Sequence, residues 1–251
     1  MSTVDEVTNA ELGDWNSIFG AEARVLCDIV QIMCQKTDNY GRYNRTLFNS
    51  VHFQIVPQHP LPLSTSATVK SKINNLTQRI DQHVSAPNVV LLILDSMSRN
   101  HFERTLPKTY SYLRKQYGAV IFDGLTKVGL NSFPNVIPML TGASPCNQKD
   151  RDLLPNANGF YDDWPLIWYD YSNAGYVTLY GEDMIQHGLF QAYGDKGFRR
   201  QPTNHYMRPL FVSAKQTGVA SNSSKYCFGN QLTHHLLTKA LLQFFQVSAN
   251  Y

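Results

Sequence analysis

Pro87-Asn88-Val89-Val90-Leu91-Leu92-Ile93-Leu94-Asp95 is the stretch on which the fold turns. The run is apolar and rich in β-branched residues, opened by Pro and closed by an acid, with no polar residue alternating inside it. It matches a strand covered on both faces rather than one with a wet side. Parallel strands of that kind need crossover connections, and the residues downstream supply candidates. A helix is predicted from about Thr105 to Gln116, with Leu106, Tyr110, Leu113 and Tyr117 on one stripe and Gly118 as its stop. Ala119-Val120-Ile121-Phe122 reads as a second strand, Trp164 to Ala174 as a helix, and Gly175-Tyr176-Val177-Thr178-Leu179-Tyr180 as a third strand. This alternation predicts an α/β fold with a mostly parallel sheet. Asn230 to Val247 closes the pattern as an amphipathic helix, with Leu232, Leu236, Leu237, Ala240, Leu241, Phe244 and Phe245 at helical spacing.

Upstream the pattern differs. A helix is expected from Ala21 to Gln35, followed by the extended stretch Val51 to Val56, broken by Pro57, Pro60 and Pro62. Leu63 to Lys72 is rich in Ser and Thr and reads as a linker. The expected division is an accessory region and linker over residues 1–80 and an α/β part over 81–251.

Composition bounds the function. Hydrophobic residues are 43% of the 251, and charged residues are 16%, against roughly 25% in ordinary soluble domains. A disordered tail is excluded. The net charge of +3 is spread without a Lys/Arg block, so neither nucleic acid nor an anionic membrane is the expected partner. No apolar run reaches the roughly 18 residues of a membrane-spanning helix. Met1 to Asp14, with Asp5, Glu6, Glu11 and Asp14, lacks the pattern of an export signal. Three N-glycosylation patterns, at Asn44-Arg45-Thr46, Asn75-Leu76-Thr77 and Asn222-Ser223-Ser224, occur together with Cys27, Cys34, Cys146 and Cys227. Together they favour an extracellular or secretory setting. The four cysteines allow three pairings; the expected one joins Cys27 to Cys34 and Cys146 to Cys227.

Asp95 ends the apolar strand, where ligands of open α/β sheets gather, although Asp95-Ser96 also suits a turn or helix cap. The second element is Gly129-Leu130-Asn131-Ser132-Phe133-Pro134-Asn135-Val136-Ile137-Pro138-Met139-Leu140-Thr141-Gly142. Pro134 fits a first helical turn and Gly142 a stop, which puts Ser132 at the N-terminus of a short helix. Free N–H groups there favour a developing alkoxide or a bound phosphate or sulfate; a plain N-cap is the bland alternative. Glu182 and Asp183, with His187 close behind, follow the third strand and are candidate ligands or acids, or else loop and cap residues. His234-His235 reads as structural, and Asp162-Asp163 ahead of Trp164 as a helix start.

The ordered series of Leu94-Asp95, Ser132-Phe133-Pro134-Asn135 and Leu140-Thr141-Gly142 resembles the alkaline phosphatase and sulfatase superfamily. Ser132 falls on its nucleophile position, nine residues before Thr141, as the modified Cys of the sulfatase motif Cys-x-Pro-Ser-Arg precedes the Thr of the closing Thr-Gly. The nucleotide pyrophosphatase/phosphodiesterase branch, with Thr-Phe-Pro-Asn, is similar there. Closer still is an uncharacterised sulfatase-like family of animal extracellular proteins, a domain of unknown function. It is similar at Val90 to Arg99, Lys127-Val128-Gly129, Ser132 to Gly142, Gly175 to Asp183 and Arg208-Pro209.

The resemblance implies a partial three-layer αβα sandwich, truncated at the C-terminus, and metal-dependent hydrolysis or transfer of phosphate or, less readily, sulfate esters. Asp95 and Ser132 would hold a divalent cation (Zn, Mn, Ca or Mg), Ser132 would attack, and Asn135 would aim its amide at a non-bridging oxygen. Departures are informative. Val136 replaces the sulfatase Arg, Ser132 the Cys, and Ser96 the second Asp of an Asp-Asp pair, which favours phosphate esters. The superfamily's remaining ligands come from Asp-His and His motifs beyond the region matching Asn230–Val247, and no Asp-His dipeptide occurs here. The expectation is therefore the N-terminal portion of such a fold, incomplete as an enzyme. The alternative is a catalytically dead secreted binding module with a vestigial anion pocket.

Overall fold

Asp38-Asn39-Tyr40-Gly41 reverses the chain and decides the N-terminal region. Gly41 takes φ 75°, a conformation glycine adopts without steric cost. The Asp38 carboxylate accepts from the N–H groups of Tyr40 (3.0 Å) and Arg42 (2.8 Å), which holds its carboxyl below the ordinary range, the Arg42 N–H first among the causes. The reversal pairs β1, Ile29–Thr37, antiparallel with β2, Tyr43–Phe53. In the computed structural model, residues 13–18, 22–57, 87–155, 159–184, 187–191, 195–216, 227–228 and 231–248 are described.

β1 replaces the helix expected over Ala21–Gln35. Ile29, Val30 and Ile32 are β-branched and suit a pleated surface once a partner strand exists. The same strand removes the expected Cys27–Cys34 bridge: Ile29 to Cys34 alone spans about 16 Å at about 3.3 Å per residue, and a disulfide needs Cα atoms within about 7 Å. Both thiols are free and exposed. Cys146 is free as well, its sulfur at the solvent face of the turn after Gly142, so the expected bridge to Cys227 is not formed.

The helix expected over Thr105–Gln116 is split in two. Pro107 disfavours the helical conformation in the residue before it, and Leu106 sits at φ −123°, ψ 50°. The result is α1, Arg99–Thr105, capped by Ser98, and α2, Pro107–Gln116, opened by its proline. Gly118 ends the pair at φ 59°. α3 is Ser132–Thr141, stopped by Gly142 at φ 70°. α4 is Ile167–Asn173; it begins later than Trp164 because Pro165 and an extended Leu166 intervene. β3, Leu179–Tyr180, pairs in parallel with β4, His205–Tyr206, and α5, Arg208–Gln216, follows at once. β5, Cys227–Phe228, β6, Gln231–Leu232, and α6, Thr233–Ser248, complete the described elements.

Two cores form. In the larger, Tyr161, Phe190, Phe198, Ile137 and Leu166 are fully buried. Phe190 meets Phe198 at 4.7 Å and Tyr161 at 5.2 Å between ring centroids, within the range of favourable aromatic pairs. In the smaller, Val51 of β2 packs with Met207, Leu210, Phe211 and Ala240, so the N-terminal hairpin shares a core with α5 and α6. A buried His205–Asp28 contact of 2.6 Å lies beside it.

Helices and strands mix as an α/β chain, but the sheets among the described residues are two-stranded pairs. Val89–Leu94 forms no ladder there, each residue 46–73% exposed. Ala119–Phe122 is likewise outside any ladder, and the third expected strand pairs only at Leu179–Tyr180. A strand clothed on both faces takes its hydrogen bonds and cover from distant neighbours, which a local pattern calls for but cannot provide. No helix among the described residues is long and apolar enough to cross a membrane.

Candidate functional site

Asp95 lies in a turn rather than at a helix cap. Ser96 takes φ 57° directly after it, and the cap of α1 is Ser98, whose hydroxyl accepts from the His101 N–H at 3.2 Å. That leaves the Asp95 carboxylate available to another element. Ser132, 37 residues on, is the first residue of α3, and Asn131 takes the cap position without a side-chain cap bond. The Ser132 hydroxyl donates to Asp95 Oδ1 at 2.7 Å. A nucleophilic oxygen, a carboxylate able to take its proton, and the positive end of a helix therefore share one place.

Asn135 holds the approach to this pair. Its Oδ1 accepts from the N–H groups of Val128 (2.7 Å) and Gly129 (3.3 Å), while its Nδ2 donates to the carbonyls of Gly129 (3.0 Å) and Asn131 (2.5 Å). Both ends of the amide are thus engaged within the 128–131 loop, which leads straight into Ser132. Gly129 makes the loop possible: a Cβ there would lie 2.3 Å from Pro134 Cγ and 2.6 Å from Pro134 Cβ, and Pro134 is buried.

The other sequence candidates lie in other settings. Glu182 accepts from the Tyr180 hydroxyl (2.8 Å) and the Leu189 N–H (2.7 Å). Burial raises its carboxyl above the ordinary range, with those two bonds and the charge of Arg208 opposing. Burial, then the neighbouring Glu182, pushes the Tyr180 hydroxyl well up. Asp183 and His187 are exposed. His234 and His235, exposed at the start of α6, face each other edge to face at 4.6 Å. Asp162 does not start a helix; its carboxylate accepts from the N–H groups of Arg199 (2.9 Å) and Arg200 (2.8 Å), because α4 begins only at Ile167.

As metal donors, Asp95 and Ser132 supply two oxygens, against four ligands for zinc and about six or more for the harder cations. Among the described residues no group of three or more His, Cys, Asp or Glu side chains could hold a metal. The described donor set therefore does not fit a closed metal site. Of the glycosylation patterns, Asn44-Arg45-Thr46 lies in β2; Asn75 and Asn222, like the linker over Leu63–Lys72, lie outside the described residues.

Sequence reasoning missed the loop clasp of Asn135 and the burial of Glu182. A Gly-x-x-x-x-Pro-Asn spacing hints at the first; nothing local marks the second. A family model described as "Protein of unknown function (DUF229)" matches residues 7–250. No curated protein and no solved structure matches the chain.

Proposed function

Because the chain belongs to the DUF229 family, whose function is unknown, we propose its activity from the site itself: hydrolysis or transfer of phosphate esters, with sulfate esters second, through Ser132. The observation that carries this is the 2.7 Å hydrogen bond from Ser132 to Asp95. It orients the hydroxyl and gives its proton a destination as the Oγ–phosphorus bond forms and the bond to the leaving oxygen breaks. The N–H groups of the first turn of α3 support charge on the transferring group, and water releases it from Ser132 in hydrolysis. Asn135 positions the loop that carries Ser132. A preference for phosphate rests on Ser132 and Val136 standing where sulfatases carry Cys and Arg.

The divalent cation of the Zn, Mn, Ca or Mg kind that the resemblance implies at Asp95 and Ser132 would need ligands beyond these two side chains. The wider proposal places these residues at one end of an alkaline-phosphatase-like αβα sandwich, over 81–251, in a protein of the secretory pathway.

The test is turnover of bis-p-nitrophenyl phosphate and of an aryl sulfate. Ser132→Ala abolishes the phosphodiesterase reaction and Asp95→Asn depresses it; turnover by Ser132→Ala equal to the parent's sinks the proposal. A second reading, a binding module that holds an anion without cleaving it, is favoured by the two-oxygen donor set and by an Asn135 amide spent within its own loop. Calorimetry distinguishes it: inorganic phosphate binds, Ser132→Ala included, and neither ester is turned over.

A further inference from the structure

We propose that the α1–α2 helical pair is a docking surface for an acidic polysaccharide, a function independent of Ser132. Arg99, Arg104, Lys108, Arg114 and Lys115 lie on these two helices against a single acid, Glu103, in a chain whose whole net charge is only +3. Neither helix contains a buried residue, so this charge is presented to solvent. Some of it has local work. Arg99 pairs with Asp123 and lies 3.7 Å from Glu103, Arg114 donates to the Ala119 carbonyl at 2.6 Å, and bases in a last helical turn complement the helix dipole.

Arg104 makes no hydrogen bond or ion pair among the described residues, and neither do Lys108 and Lys115 of α2. Seven residues apart, they fall on one face of α2, about 10 Å from each other along the axis. Ser111 and Tyr112 lie between them on that face. With Pro107 and Gln116 they line a shallow groove of about 420 Å³. Tyr112 is 57% exposed and Tyr117 71%, and their rings meet edge to face at 5.5 Å.

The chemistry selects the occupant. Two cations carried at positions about 10 Å apart along one helix axis suit a linear polyanion with recurring charges better than one small anion. An exposed tyrosine between them, flanked by a hydroxyl and an amide, suits a sugar ring with its apolar face on the aromatic and its hydroxyls hydrogen-bonded. Duplex DNA carries a charge about every 1.7 Å of axis and calls for a broader basic face than this single groove.

The experiment measures binding of the whole protein to size-defined heparin oligosaccharides at about 0.15 M salt, where exposed charges act over about 8 Å. The expected result is saturable binding that weakens steeply with salt and falls at least tenfold in Lys108→Glu/Lys115→Glu. It is retained in Lys108→Arg/Lys115→Arg, lowered several-fold in Tyr112→Ala, and unchanged in Ser132→Ala. These positions are exposed, and far-UV circular dichroism confirms that the variants fold. Absence of heparin binding, equal binding by the charge-reversed variant, or equal binding of polyglutamate or duplex DNA overturns the proposal.

Discussion

Replacing Asn135 with Ala separates positioning from chemistry at this site. The substitution removes four hydrogen bonds: two accepted from the Val128 and Gly129 N–H groups and two donated to the Gly129 and Asn131 carbonyls. A net hydrogen bond contributes about 0.5–1.5 kcal/mol. Asn135 is half-buried, so water replaces part of what is lost, and the expected destabilisation is about 2–3 kcal/mol. For a chain of this size that lowers Tm by roughly 4–12 °C. Asn135→Asp does not rescue it, because the donor end becomes a carboxylate oxygen facing two carbonyls. The assay is urea unfolding followed by the near-ultraviolet signal of the aromatic core, alongside phosphodiester turnover. Stability and turnover should fall together. Turnover lost with the unfolding midpoint unmoved would refute the clasp and return Asn135 to the role of a donor to the ester oxygen.

Two further outcomes follow from the same packing. Gly129→Ala forces a Cβ into buried Pro134 at 2.3 Å; overpacking of this kind costs about 1–3 kcal/mol, read as a lower urea midpoint with Ser132 chemistry impaired. For Glu182, a carboxyl raised above its unfolded value of 4.5 binds its proton more tightly in the folded state. Its contribution is present below pH 4.5 and is lost as pH rises through the folded pKa. Glu182→Gln, which cannot ionise, should flatten the decline in Tm as pH rises above 4.5; an unchanged slope counts against a raised Glu182.

Much of the site was legible along the chain. Pro134 and Gly142 mark the ends of α3 because proline tolerates a first turn and glycine tolerates φ 70°, and Ser132 takes its position from them. The breaks at Leu106 and Trp164 follow from Pro107 and Pro165, although an apolar stripe read alone runs through both. The apolar spacing of Ala21–Gln35 fits a helix as well as the strand β1, and the Asp38–Gly41 turn is the local feature that separates the two, while the extended stretch from Val51 meets the end of β2.

Local chemistry in the sequence thus determined where helices start and stop, which residues are apolar, and that a hydroxyl opens a helix. Only the tertiary structure decided that this hydroxyl meets a carboxylate 37 residues away, that Asp28 finds His205 across 177 residues, and that the Asn135 amide turns inward on its own loop. It also decided that Val89–Leu94 has no ladder partner among the described residues. The physical reason is that caps and turns are satisfied within a few residues of themselves, whereas ladder bonds, buried pairs and pKa shifts depend on which distant groups the packed chain brings together.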